Sequence, residues 1–186
     1  MDKKRCLALA VVSTFAAFST YAQEATHPTV YVGAKVGGGQ VADMDKAVTN
    51  VTGIDKSTTA WSVFAGMRFH QVPWLALEVS YVDLGKIELK DTQGDFTATG
   101  FELAAKYVYD INEKFDVFAG VGAISYGWRG NGAACCDDNG LSGTLGFGAG
   151  YKFHPNWNAL VDYKFYNNIG GSPDFHTYSI GVLYAF

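Results

Sequence analysis

Tyr178, Ile180, Val182, Tyr184 and Phe186 occupy every second position of the segment that ends the chain. Thr177, Ser179, Gly181 and Ala185 stand between them, with Leu183 the one large exception. A period of two predicts a β-strand with one apolar face. A soluble domain seldom leaves five large apolar residues on one face of its last strand. A strand facing lipid does.

The opposite end fits the same setting. Asp2-Lys3-Lys4-Arg5 is a basic start, and Cys6 to Phe18 is mostly apolar and uncharged. Thr20-Tyr21-Ala22 then sets small residues three and one positions ahead of Gln23. This is the layout of a secretory signal peptide over 1–22, with the mature domain over 23–186. Cys6 precedes the apolar run instead of ending it, which does not suit a lipoprotein anchor.

Removing the signal takes away mostly basic residues and leaves the mature chain more acidic than the −4 of the full sequence. A nucleic-acid binder needs a basic face, so that class is excluded. Hydrophobic residues make up 48% of the chain, yet no segment after the signal reaches the ~18 uncharged apolar residues of a spanning helix. Aromatics at 15% and 22 glycines, with the apolar residues dispersed, suit a membrane β-barrel instead.

Eight segments alternate. Pro28 to Gly39 sets Val30, Val32, Ala34 and Val36 against Tyr31, Gly33 and Lys35. Thr59 to His70 sets Trp61, Val63, Ala65, Met67 and Phe69 against Ser62, Phe64, Gly66 and Arg68. Trp74 to Ile87 sets Leu75, Leu77, Val79 and Tyr81 against Ala76, Glu78 and Ser80. Phe96 to Asp110 sets Phe101, Leu103, Ala105, Tyr107 and Tyr109 against Glu102, Ala104, Lys106 and Val108. Phe115 to Trp128 is ambiguous, being apolar or glycine on both faces. Leu141 to Phe153 sets Leu145, Phe147, Ala149, Tyr151 and Phe153 against Thr144, Gly146, Gly148, Gly150 and Lys152. Trp157 to Asn168 sets Trp157, Ala159, Val161, Tyr163 and Phe165 against Asn158, Leu160, Asp162, Lys164 and Tyr166. The terminal strand is the eighth.

Gln71 to Pro73, Ile111 to Lys114 and His154 to Asn156 read as tight turns. Gln40 to Ser57, Glu88 to Asp95, Arg129 to Gly140 and Ile169 to Asp174 are longer and polar. Short turns on one side and long loops on the other predict an all-β, eight-stranded, antiparallel, up-and-down transmembrane barrel in the outer membrane. The short turns and both termini then lie in the periplasm. Trp74, Tyr109, Phe115, Phe153, Trp157 and Phe186 would form the aromatic girdle there. An open sheet edge in hydrocarbon would leave backbone groups unpaired at several kcal/mol each, so the first and last strands should pair.

Several motifs carry a family resemblance: Gly33-Ala34-Lys35-Val36-Gly37, the run Leu77 to Gly85, Leu103 to Tyr109, and Asp162 to Gly170. In order and spacing the chain resembles the transmembrane barrels of the outer-membrane protein A family over almost the whole mature sequence. The resemblance implies an integral outer-membrane protein. Its namesake carries a periplasmic peptidoglycan-binding domain after the barrel; this sequence stops on the last strand, so the expectation is a barrel alone. The terminal strand also resembles the signal read by the barrel-assembly machinery, carried here by Tyr178, Ile180, Val182, Tyr184 and Phe186. The partners implied are outer-membrane lipid and lipopolysaccharide, that machinery and periplasmic chaperones, around a monomeric barrel. Glu78 and Lys106 match two members of the family's interior charge gate. Leu160 and Gly150 stand where the family has the partnering arginine and a second glutamate.

Lys35, Arg68, Glu78, Glu102, Lys106, Lys152, Asp162 and Lys164 are expected to point inward. Eight strands leave an interior just wide enough for side chains to fill, which favours a plug of interlocking ion pairs over a passage. Glu102 and Lys106 lie ~13 Å apart along one strand, so each should pair across strands. Cys135 and Cys136 lie in the third outside loop. Adjacent Cα atoms sit ~3.8 Å apart, below the ~4.4 Å minimum usual for a bridge, so the pair is either free thiols or a strained vicinal disulfide. No histidine is near them to complete a metal site. His176 and Ser179, three apart, fall on opposite faces of a strand, and no catalytic set or cofactor site emerges. The expected role is structural or surface-displaying, with a small-solute porin and a loop-borne adhesin as alternatives.

Overall fold

The computed structural model describes residues 28–42, 57–88, 94–132, 138–169 and 174–186. The signal segment, His27, Cys135, Cys136 and most of the first outside loop lie outside the described residues. The strands are β1 (Thr29–Ala42), β2 (Ser57–Arg68), β3 (Leu75–Glu88), β4 (Gly94–Asp110), β5 (Phe115–Gly132), β6 (Asp138–His154), β7 (Trp157–Tyr166) and β8 (Asp174–Ala185). Each pairs antiparallel with its neighbours in chain order. The sheet closes where β1 meets β8, in a ladder from Tyr31 opposite Ala185 to Ala42 opposite Asp174. Closure leaves no edge for lipid to meet.

The usual burial rule is turned inside out. Leu103, Val121 and Ile180 are each more than 60% exposed on the outer wall. Glu102, by contrast, is 1% exposed inside it. Such a surface is stable only in hydrocarbon. Aromatic pairs ring both ends of the wall. Trp74 with Tyr107, Phe115 with Tyr151 and Trp157 with Tyr184 lie toward the short turns. Trp61, Tyr81 and Phe101, with Phe147, Tyr163 and Tyr178, lie toward the long loops.

The structure resolves the ambiguity of β5. Asp116, Ile124 and Tyr126 face inward and are buried, while Val117 and Val121 face lipid. Asp116 is the one charge between Phe115 and Trp128. It faces the interior opposite Gly150 and accepts from Asn158, and alternation then sets the face of the rest of the strand. β4, β5 and β6, at 17, 18 and 17 residues, exceed the ~9–11 needed to cross. β5 and β6 therefore extend into the segment expected to be the third loop.

One bulge interrupts the β3–β4 register between Asp83 and Lys86. Gly85 sits there at φ 80°, and its N–H donates to Asp83 Oδ1 at 2.8 Å. A Cβ would collide with Thr58 Oγ1 and the Thr59 carbonyl. Gly85→Ala is expected to cost about 1–3 kcal/mol, measured as a lower urea midpoint for the refolded barrel.

Candidate functional site

The interior is a stack of layers. Toward the short turns, Tyr31, Phe64, Ala76 and Leu160 form a buried apolar cluster, with Val108, Phe118, Leu183 and Ala185 packed against it. Toward the long loops lies a larger one of Val82, Leu84, Ala98, Ile124, Tyr126, Tyr166, Ile169 and Phe175, with Trp128 against it. Between them is an ionic layer.

Alternation builds that layer. Lys35 on β1, Glu78 on β3, Glu102 and Lys106 on β4, and Asp162 and Lys164 on β7 all occupy inward positions. Lys106 Nζ lies 2.5 Å from Glu78 Oε2, and Lys35 Nζ lies 4.0 Å from Glu78 Oε1. Lys35 also donates to Asp162 Oδ2 at 2.7 Å, and Ser179 Oγ donates to the other oxygen of that carboxylate. Lys164 Nζ donates to both oxygens of Glu102, at 3.0 and 2.8 Å. Ser80 and Thr144 hydroxyls complete the shell of Glu102 at 3.1 and 2.7 Å. Both Glu102 and Lys106 therefore pair across strands, not with each other. Phe64 and Phe118 cover the ammonium groups, with Lys35 4.9 Å from the Phe64 ring and Lys106 4.8 Å from the Phe118 ring.

Three lysines meet three carboxylates here, so the layer is electrically neutral. Each carboxylate has an ammonium partner and each ammonium a carboxylate, which a buried ionic cluster requires. The void left among Lys35, Ser62, Asp162, Lys164 and Tyr166 is about 20 Å³. That is room for about one water molecule.

Arg68 and Lys152 do not join this layer. Their side chains are 23% and 38% exposed at the short-turn mouth, where both lie beside Asp110. Arg68 donates to Asp110 at 3.2 and 2.7 Å, and Lys152 lies 3.7 Å away. Their place so near the strand ends explains the difference: an inward direction there opens onto the mouth.

The two departures from the family gate have structural counterparts. Leu160 belongs to the inner apolar cluster, so an arginine's place is taken by packing. Gly150 is opposite Asp116 in the ladder, and a Cβ on it would stand 2.6 Å from Asp116 Oδ1. The carboxylate of Asp116 thus fills the room a side chain at 150 would need. Its other oxygen accepts from Asn158 Nδ2 at 3.1 Å, while Asn158 Oδ1 has no protein partner. Sequence reading missed Asp116, though its solitary charge was the available signal.

His70 and His154 are exposed at the short turns. His176 faces outward with Nδ1 2.5 Å from Tyr163 Oη, while Ser179 faces inward to Asp162. No group of three or more metal-ligating side chains occurs among the described residues.

Residues 25–186 match the OmpA-like transmembrane domain. Outer membrane protein A of Yersinia pseudotuberculosis serotype I (strain IP32953) is 32% identical over 202 residues, covering 99% of this chain and 56% of the relative. Outer membrane protein A of Serratia marcescens is 32% identical over 208 residues, with the same shares. The chain thus spans about half the length of the curated relatives it matches. Among solved structures, Neisserial surface protein A shares the fold with a TM-score of 0.61 at 19% identity, covering 84% of this chain and 97% of that one. The attachment invasion locus protein Ail of Yersinia pestis does so with a TM-score of 0.61 at 15% identity, over 86% and 99%.

Proposed function

The chain belongs to the family of the OmpA-like transmembrane domain and is an integral outer-membrane barrel, and we propose that it works as a sealed scaffold, with a structural role in the envelope and loops displayed at the surface. The observation that supports this reading is the neutral ionic layer held between two apolar clusters, with about 20 Å³ left beside it. A conducting pore needs a continuous polar path, and each apolar cluster would have to unpack to create one. Surface display is favoured by β4, β5 and β6, whose outer ends overrun the length needed to cross.

The partners follow from the same reading: outer-membrane lipid around the wall, and the assembly machinery and chaperones on the way there. Tyr178, Ile180 and Phe186 are exposed on the lipid face of the terminal segment, and Val182 and Tyr184 share that face. This is the presentation an assembly signal needs. Swelling of liposomes carrying the refolded protein tests the sealed reading. In an isotonic solution of a small amino acid, they should swell no faster than protein-free liposomes. Rapid swelling would establish the porin alternative.

A further inference from the structure

Where β7 lies against β8, two tyrosines meet on the outward wall. Tyr163 and Tyr178 stand directly opposite each other in the ladder, with ring centres 5.1 Å apart and planes tilted by 52°. The next pair on that face, toward the long loops, is Phe165 opposite His176. The imidazole leans back to Tyr163, its Nδ1 2.5 Å from the phenol Oη. With the ring hydrogen on Nε2, Nδ1 accepts and the phenol donates. Among the described residues, no other two tyrosine rings meet and no other phenol meets an imidazole. Tyr31 reaches Glu78 at 3.5 Å, but it is buried inside the barrel.

This placement sets both access and chemistry. Tyr178 is exposed and Tyr163 half-buried. An open apolar groove of about 1020 Å³ runs beside both rings, lined also by Val36, Phe147, Val161 and Ile180. A small uncharged oxidant dissolved in the bilayer reaches them there. A phenol gives up an electron readily only if its proton leaves with it, and an apolar groove offers little water to take that proton. A base already within hydrogen-bond reach takes it instead. The neighbouring groups do not compete for this role. Asp174, two positions along from His176, accepts from the Asn168 N–H at 2.8 Å, and Gln40, opposite His176 on β1, is uncharged. The phenoxyl radical so formed has the second tyrosine beside it as its direct cross-strand partner.

We infer that Tyr163 and Tyr178 form an oxidative cross-linking site, with His176 as the proton acceptor and a membrane-soluble one-electron oxidant, such as nitrogen dioxide, as co-reactant. Each tyrosine loses one electron and its phenolic proton. Tyr163 passes its proton to His176, and Tyr178, the more exposed, releases its own to interfacial water. Two molecules of nitrogen dioxide become two nitrite ions. The two radicals join through ring carbons ortho to the phenol oxygens, and the hydrogens displaced from those carbons restore the two hydroxyls. The resulting dityrosine ties β7 to β8, beside the seam where β8 meets β1, and constrains the unfolded chain as a disulfide does. The site is independent of whether the interior is sealed, so conductance results do not bear on it.

The refolded protein, its cysteines reduced and alkylated, is placed in vesicles of saturated phosphatidylcholine and exposed to nitrogen dioxide generated from peroxidase, hydrogen peroxide and nitrite. Trypsin cuts after Lys152 and Lys164, so Tyr163 and Tyr178 leave on different peptides unless a bond joins them. Mass spectrometry should find the two peptides joined, lighter than their sum by two hydrogens. Tyr163→Phe and Tyr178→Phe should each abolish that product. His176→Gln keeps an acceptor for the phenol but no base, and should slow its formation about a hundredfold, the lower end of what a positioned base contributes. His176→Asn is the second variant if glutamine prevents refolding, and unchanged heat-dependent gel mobility verifies the fold. Nitration of Tyr107 and Tyr184, in the opposite aromatic band, should not change in these variants, which shows that the oxidant is still delivered. Nitration spread over Tyr107, Tyr163 and Tyr184 in wild type, with no joined peptide, would overturn the site. A wild-type rate in the His176 variants would overturn the role of the imidazole.

Discussion

Glu78→Ala should destabilise the barrel by about 3–5 kcal/mol, the cost of breaking a buried ion pair from one side. Glu78 is 3% exposed and accepts Lys106 at 2.5 Å, with Lys35 at 4.0 Å on its other oxygen. Removing it leaves the Lys106 ammonium against the Phe64 and Phe118 rings, with no carboxylate in contact. Lys35 keeps Asp162 at 2.7 Å, so the damage concentrates on Lys106. Urea unfolding of the refolded protein reads the loss. The double variant Glu78→Leu, Lys106→Leu separates two meanings of the pair. Replacing a buried ion pair by apolar side chains of similar size is often neutral or stabilising. The double variant should therefore lie closer to wild type than Glu78→Ala. A double variant less stable than the single one would mean that the pair contributes net stability. On the present account its contribution is to register: a slip of β4 by one residue would turn both Glu102 and Lys106 onto lipid, and a slip of β3 would do the same to Glu78.

Leu103→Arg should cost about 2–4 kcal/mol, because a charge on the lipid face is most expensive near the bilayer midplane. Leu103 points outward between the two aromatic bands, flanked in the ladder by Val79 and Ala123. Tyr109→Arg, on the same face near the short turn, should cost only about 0–1 kcal/mol, since the penalty falls toward the interface. Both changes occur on exposed residues of one strand, so a soluble sheet would tolerate them equally. Folding titrations in lipid vesicles give the two values. Equal costs would contradict the lipid-facing assignment of β4.

Where one face of a strand carried charge and the other did not, alternation alone oriented it. β3, β4 and β7 are of this kind: Glu78, Glu102, Lys106, Asp162 and Lys164 marked the inside before any partner was known. From Phe115 to Trp128, β5 offered apolar residues and glycines on both faces, with Asp116 the one charge to mark the inside. The interior clusters were least legible. Tyr31, Phe64, Leu160 and Phe175 look in sequence like misplaced lipid-facing residues, and only closure of the barrel shows that they pack on each other. Which inward charge meets which is a property of the shear between strands, and no single strand contains it. Lys35 and Asp162 are 127 positions apart and touch only because β1 and β7 both flank β8. The mouth position of Arg68 and Lys152 was hidden for a related reason: period two gives direction, not depth.

Single-channel recording of the refolded protein in a planar lipid bilayer tests the sealed interior most directly. With the ionic layer closed by Phe64 and Leu160 on one side and by Ile124, Tyr166 and Phe175 on the other, the current should stay at baseline after insertion. Discrete, reproducible conductance steps from wild-type protein would contradict it.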